Sequence, residues 1–151
     1  MTLHVKEITV DTLPEFGTLR HADEVECAAG GMTGREAIDK SLRASFLAYA
    51  IYGNEELLAF WGFRPATLTG NSAAMWMMSF PGMDKHQVAF ARYSMRVVQD
   101  MLDIYGELFV TVHYAHTLAR KWLHWLGFKQ QNDFGVFKEM RVSKGDFPWA
   151  S

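Results

Sequence analysis

Cysteine is nearly absent from this chain: Cys27 stands alone, so no intrachain disulfide can form. That excludes the small disulfide-stapled scaffolds typical of secreted proteins. Long apolar runs are missing too. The longest, near Phe46–Ile51 and Ala73–Met78, fall far short of the roughly 20 residues a membrane-spanning helix needs. No excess of one charge sign exists. A formal net charge of −2 gives no electrostatic grip on nucleic acid or on an acidic membrane. Repeats, low-complexity tracts and linker-like stretches are absent as well. Met1–Val10 carries Lys6 and Glu7 and lacks the apolar core of a signal peptide. The expectation is a soluble protein of a reducing compartment, not a secreted one.

What remains is sufficient for one ordinary core. The 151 residues are 49% hydrophobic and 21% charged, the proportions of a single globular domain. Aromatic residues reach 14%, with nine Met and five Trp, which implies a dense core or an adhesive partner surface. One domain is expected over 1–142, followed by a loose tail, 143–151, whose Phe147-Pro148-Trp149 is suited to docking on a partner.

Local signals give the element order. Leu3–Val10 reads as a first strand. Pro14 fits the first turn of a helix that runs to the Gly30-Gly31 stop. Thr33-Gly34-Arg35-Glu36 has capping-box spacing and should open a second helix. Phe46–Tyr52 and Leu57–Phe63 flank a Gly53-Asn54 turn, a hairpin signal. Thr69-Gly70-Asn71 marks another turn. Ala73–Phe80 is an unbroken apolar run that suits a strand buried on both faces. A long helix follows from Asp84 or Lys85 to Tyr105, with Phe90, Tyr93, Val97, Met101 and Tyr105 on one face. Asp84 is placed to cap it. Leu108–His113 reads as a strand, and Thr117–Leu126 as a short helix with Leu118, Trp122, Trp125 and Leu126 on one side. Phe128–Gln131 and Phe134–Val142 complete a hairpin. The order β-α-α-β-β-β-α-β-α-β-β predicts an α/β protein with a mixed sheet, antiparallel early and parallel in the middle.

Val110–Phe128, a strand running into a short helix that ends in Leu-Gly-Phe, resembles the GNAT (acyl-CoA N-acyltransferase) superfamily. Many members carry Asn, then Ala three residues on, then Tyr, then Gly-Phe. Here the positions are His116, Ala119, Leu123, Gly127 and Phe128; His116 and Leu123 depart from the pattern. The chain is also similar to small GNAT-like proteins of tailed bacteriophages, of the internal virion protein type. The shared features are Arg20-x-x-Asp23-x-x-Glu26, Trp76-Met77-Met78-Ser79, His86, Ala89-Phe90, and Trp122-Leu123-x-Trp125-Leu126-Gly127-Phe128.

The resemblance implies central parallel strands that splay to admit acetyl-CoA. Its pantetheine arm would pair with the first of them, at Met78, Ser79 and Phe80. Its pyrophosphate would rest at the start of the long helix, at Lys85, His86 and Ala89. Active members place Gln or Arg, two residues, Gly, one residue, then Gly or Ala there; this chain has Asp84-Lys85-His86-Gln87-Val88-Ala89. Gln87 replaces a glycine, and Asp84 sets a carboxylate where an anion should dock. Acetylation of an amine needs a base and an acid. Glu26, His116 and Tyr114 are the candidates, since Leu123 stands where the family's Tyr acts. Arg20 and Asp23 are placed to bind the acceptor.

Plainer readings stand beside these. His116 is a surface or capping histidine at a helix start, Arg20 pairs with Asp23 at i+3 or with Glu24 at i+4, and Cys27 is a buried thiol. No metal is expected, because His113, His116 and His124 lack a ligand pattern. Two functions stay open: an acetyl-CoA-dependent N-acetyltransferase of phage origin, or a catalytically silent protein of this fold acting in the virion, in assembly or on a host factor. In either case the partners are phage virion or host proteins, without nucleic acid or membrane, in the host cytoplasm or the virion.

Overall fold

The computed structural model describes residues 3–67 and 70–149. It contains strands β1 (Leu3–Glu7), β2 (Leu47–Gly53), β3 (Glu56–Pro65), β4 (Ala73–Ser79), β5 (Glu107–His113), β6 (Lys129–Phe134) and β7 (Phe137–Ser143). The helices are α1 (His21–Ala29), α2 (Gly34–Ala44), α3 (Gln87–Tyr105) and α4 (Thr117–Trp125). The seven strands form one mixed sheet in the order β1-β2-β3-β4-β5-β7-β6. The early strands are antiparallel, and β4 and β5 are parallel, as the element order predicts. Contacts divide the chain into two compact units, Met1–Arg64 with Trp76–Phe90, and Pro65–Met75 with Ala91–Ser151.

In the first unit, β2 and β3 carry the core. Ala48, Ala50 and Phe60 point to the face covered by Ile38 and Leu42 of α2 and Cys27 of α1. Phe16, Phe60 and Phe80 make an aromatic trio, with Phe60 edge-on to Phe16 at 5.5 Å and to Phe80 at 5.4 Å. Trp61 points the other way, onto Phe63 and Phe90. This alternation is the period-two geometry of a strand with both faces covered. Gly62 lies under the Trp76 indole: a Cβ there would come within 2.4 Å of Trp76 Nε1. Trp76 Nε1 in turn donates to Ser45 Oγ at 2.7 Å, which ties β4 to the end of α2.

Three expectations need correction in this unit. Pro14–Arg20 is not helical, and α1 begins only at His21. The reason lies in where its N–H groups go. Leu19 N donates to Glu24 Oε1 and Arg20 N donates to Ser79 O, one local and one tertiary bond that take N–H groups a continuous helix would need. The β2–β3 turn is Asn54-Glu55, with φ of 50° and 68°, not Gly53-Asn54, and Gly53 pairs with Glu56. This is the doubly left-handed geometry of a tight hairpin. Finally, α3 begins at Gln87, because Pro81–Lys85 forms a separate 3₁₀ turn. Asp84 therefore sits inside that turn and does not cap α3. The capping box of α2 forms as predicted, with Glu36 N donating to Thr33 Oγ1 and Thr33 N donating to Glu36 Oε1.

In the second unit, β5 is hydrogen-bonded along its length to β7, and β7 to β6. The ladder between β4 and β5 runs over Ala73–Met75 and Leu108–Val110. Ser94 of α3 accepts from Trp122 Nε1 of α4 at 3.0 Å. The apolar stripe of α4 differs from the expected one. Leu123 and Leu126 are buried, whereas Leu118 and Trp125 are exposed. In α3 the buried positions are Phe90, Ser94, Val98, Met101 and Leu102, one step around the helix from the predicted Tyr93, Val97 and Tyr105, which are half-buried. Phe147 is buried, Pro148 fills the space over Gly127, and Trp149 Nε1 donates to Trp125 O at 2.8 Å. The tail residues 147–149 thus fold back on α4. Thr69 of the expected 69–71 turn lies outside the described residues; Gly70 has a φ of 75°. Among the described residues no helix is long and apolar enough to cross a membrane.

Candidate functional site

A densely bonded polar group of the first unit lies at the end of β4. Ser79, fully buried, accepts from Arg20 Nε at 2.7 Å and donates its hydroxyl proton to Asp23 Oδ2 at 2.7 Å. Arg20 Nε is also 3.5 Å from Asp23 Oδ2, and its Nη1 reaches Asp84 Oδ1 at 3.3 Å. Arg20 N donates to Ser79 O at 2.8 Å. One arginine therefore holds the last residue of β4 through both backbone and side chain, and also the turn that precedes α3. Asp23 is 3% exposed. At that burial an unpaired carboxylate would be costly, and the hydroxyl and guanidinium supply the compensation. The i, i+3 ion pair is present, as spacing allows. Ser79 and Asp84, 59 and 64 residues from Arg20 in sequence, complete it.

The residues expected at an acyl-CoA site cluster on β4 and the turn behind it. Trp76, Met77 and Met78 are half-buried, unlike the doubly buried strand expected, while Ser79 and Phe80 are enclosed. Phe80 N donates to Leu58 O at 2.9 Å. Lys85 Nζ makes an ion pair with Glu56 Oε1 at 3.1 Å, and the Glu56 carboxylate covers Gly82, where a Cβ would clash at 2.4 Å. His86 is buried against Gly53. Ala89 is half-buried in the first turn of α3, between exposed Val88 and buried Phe90. Glu26 is half-buried on α1. Cys27 is buried, and desolvation pushes its thiol up to about 11, with Glu26, Asp23 and Glu24 adding to the rise. It is a thiol rather than a thiolate at neutral pH.

In the second unit, His116 caps α4: its Nδ1 accepts from Ala119 N at 3.3 Å. A neutral imidazole that accepts at Nδ1 carries its proton on Nε2. Its Nδ1 lone pair is thus committed to the helix. Replacing His116 by Ala should cost about 1 kcal/mol in chemical denaturation, whereas His116→Asn, a better cap, should cost nothing. Equal losses in both variants would show that the cap is not what His116 provides. Tyr114 is 51% exposed and stacks on His113 at 4.9 Å, while Arg120 Nη1 donates to its carbonyl. Leu123 is 1% exposed, a core residue where the family places a phenol. Among the described residues no group of three or more His, Cys, Asp or Glu could hold a metal ion.

Sequence reasoning grouped Arg20 with Asp23 and named Ser79 separately, but did not join them. It missed Glu56, whose only signal was its place beside a tight turn.

No family model matches the chain, and no curated protein matches its sequence. Solved structures do match in three dimensions. An IAA acetyltransferase from Bacillus cereus superposes with a TM-score of 0.66 at 7% identity, over 94% of this chain and 99% of that one. A GNAT family acetyltransferase from Elizabethkingia anophelis with acetyl-CoA bound gives 0.66 at 12% identity, over 93% and 97%. The Campylobacter jejuni N-acetyltransferase PseH in complex with acetyl coenzyme A gives 0.59 at 11% identity, over 93% and 99%. With its mixed seven-stranded sheet, parallel β4–β5 pair and four helices in this order, the chain has the fold of the GNAT acetyltransferases.

Proposed function

We propose that the chain binds acetyl-CoA and transfers the acetyl group to a primary amine. One observation carries this reading. The half-buried stretch Trp76–Met78 runs, through a single 3₁₀ turn, into the N-terminus of α3, in a fold that holds acetyl-CoA in the Elizabethkingia and Campylobacter structures. A strand edge can take the amides of a pantetheine arm, and a helix N-terminus can take a diphosphate. The residues fit such a ligand with reduced affinity, because Asp84 and Gln87 stand where the family prefers a cation or amide and a glycine. In the reaction the amine nitrogen attacks the thioester carbon, the C–S bond breaks, and the thiolate takes up a proton while the new amide loses one. Glu26 is the candidate base. Arg20 and Asp23 support the site from within rather than by contacting the acceptor.

A second reading has its own support. Leu123 is a core residue and the His116 lone pair caps a helix, so two positions that do chemistry in many relatives serve structure here. The fold would then act without catalysis, as a virion or assembly component or as a binder of a host factor. The phage setting common to both readings rests on the sequence resemblance alone.

Thermal melting with added acetyl-CoA tests the first reading. Ligand at a hundredfold over its Kd stabilises by about 2.7 kcal/mol, or roughly 5–10 °C for a chain of this size. No shift at millimolar acetyl-CoA overturns donor binding. A shift without release of free thiol in the presence of primary amines favours the silent protein.

A further inference from the structure

We infer that Arg20, Asp23 and Ser79 are positioning residues for the acyl donor: they lock the end of β4 so that Trp76–Met78 presents its backbone in one fixed register. The inference rests on the donor-binding reading above. A role in contacting the acceptor, expected from sequence, does not fit the geometry. Asp23 is 3% exposed and Ser79 is fully buried. The Asp23 Oδ2 is taken by the Ser79 hydroxyl, and Arg20 spends Nε on Ser79 and Nη1 on Asp84. These groups face one another.

What they hold is specific. Ser79 is gripped at its carbonyl by Arg20 N and at its hydroxyl by both Arg20 and Asp23. The next residue is fixed as well, with Phe80 N bonded to Leu58 O and its ring set against Phe16 and Phe60. Immediately before this fixed end, Trp76, Met77 and Met78 are only half-buried. A ligand that pairs with a strand inherits the register problem of strands: a slip of one residue presents the opposite face. Buried ion pairs stabilise little against apolar alternatives, and their best-attested use is fixing register. A lock beside the accessible stretch is such a use. The three residues take no part in bond making; they act through the backbone of β4.

Ser79→Ala is the direct test. It deletes the shared hydroxyl, and Arg20 Nε and Asp23 Oδ2, already 3.5 Å apart, can close on each other. Binding is measured by calorimetry for acetyl-CoA and for adenosine 3′,5′-bisphosphate, the nucleotide half that lacks the arm. The expected result is an acetyl-CoA affinity about tenfold weaker, the worth of one well-placed hydrogen bond, with bisphosphate affinity unchanged. Asp23→Asn keeps an acceptor for the Ser79 hydroxyl and should weaken acetyl-CoA less; it carries the test if Ser79→Ala does not fold. Equal weakening of both ligands means a merely structural role and overturns the inference, as does unchanged acetyl-CoA affinity. Failure of the parent chain to bind acetyl-CoA removes the donor site and the lock together; binding that Ser79→Ala leaves intact removes the lock alone.

Discussion

Replacing Asp23 by Ala is expected to destabilise the protein by about 3 kcal/mol, at the low end of the range for breaking a buried ion pair from one side. The cause is not the loss of one attraction. Asp23 is 3% exposed, and its removal leaves the Ser79 hydroxyl proton without its acceptor and Arg20 Nε with less compensation in a site closed to water. Arg20 keeps Asp84, which holds the cost below the upper end. For a chain of this size, a loss of about 3 kcal/mol lowers the melting temperature by roughly 6–12 °C. Asp23→Asn retains an oxygen for Ser79 and should lose about half as much. Urea denaturation of the parent and both variants checks this. A loss under about 1 kcal/mol for Asp23→Ala would show that the network is not energetically closed.

Asp84→Asn should act in the opposite sense, on ligand affinity rather than stability. The Asp84 side chain is 60% exposed and its pairing with Arg20 is a partly screened one, so folding should change little. At the turn before α3, however, a carboxylate repels an incoming diphosphate. Removing one unit charge at about 6 Å, in a half-aqueous setting, is worth roughly 1–2 kcal/mol. Acetyl-CoA should therefore bind about tenfold more tightly to Asp84→Asn than to the parent. Acetyl-pantetheine, which has no diphosphate, should bind both equally. If the tighter binding extends to acetyl-pantetheine, repulsion is not the cause; if neither ligand discriminates, the diphosphate does not approach this turn.

The fold was largely legible in the sequence, because its signals are local. The capping box at Thr33, the long amphipathic run ending at Gly106, and the short segment ending in Gly127-Phe128 each depend on neighbours within one or two turns. The errors came where backbone N–H groups take partners that the apolar pattern does not reveal. Pro14–Arg20 has a helical pattern, yet its N–H groups are drawn to Glu24 and Ser79. The Pro81–Lys85 turn breaks what reads as a longer helix because Met83 N and His86 N bond three residues back. The stripe expected on α4 mixes buried Leu126 and half-buried Trp122 with exposed Leu118 and Trp125, and passes over buried Leu123, because the two Trp dominate by apolar size. The candidate site was legible residue by residue but not as an assembly. Spacing finds Arg20 with Asp23; nothing local announces that Ser79 stands between them.

The crossing of Trp76 over Gly62 carries a consequence for how such a sequence can change. The two positions share one volume: the indole occupies the space that any side chain at position 62 would need. A larger residue at 62 can be accepted only after 76 has become smaller, whereas a reduction at 76 alone leaves a cavity and removes the indole N–H that Ser45 Oγ accepts. Substitution at this crossing is therefore ordered, with a less stable intermediate on the way. Homologues should divide into those that keep the glycine with the tryptophan and those that have exchanged both.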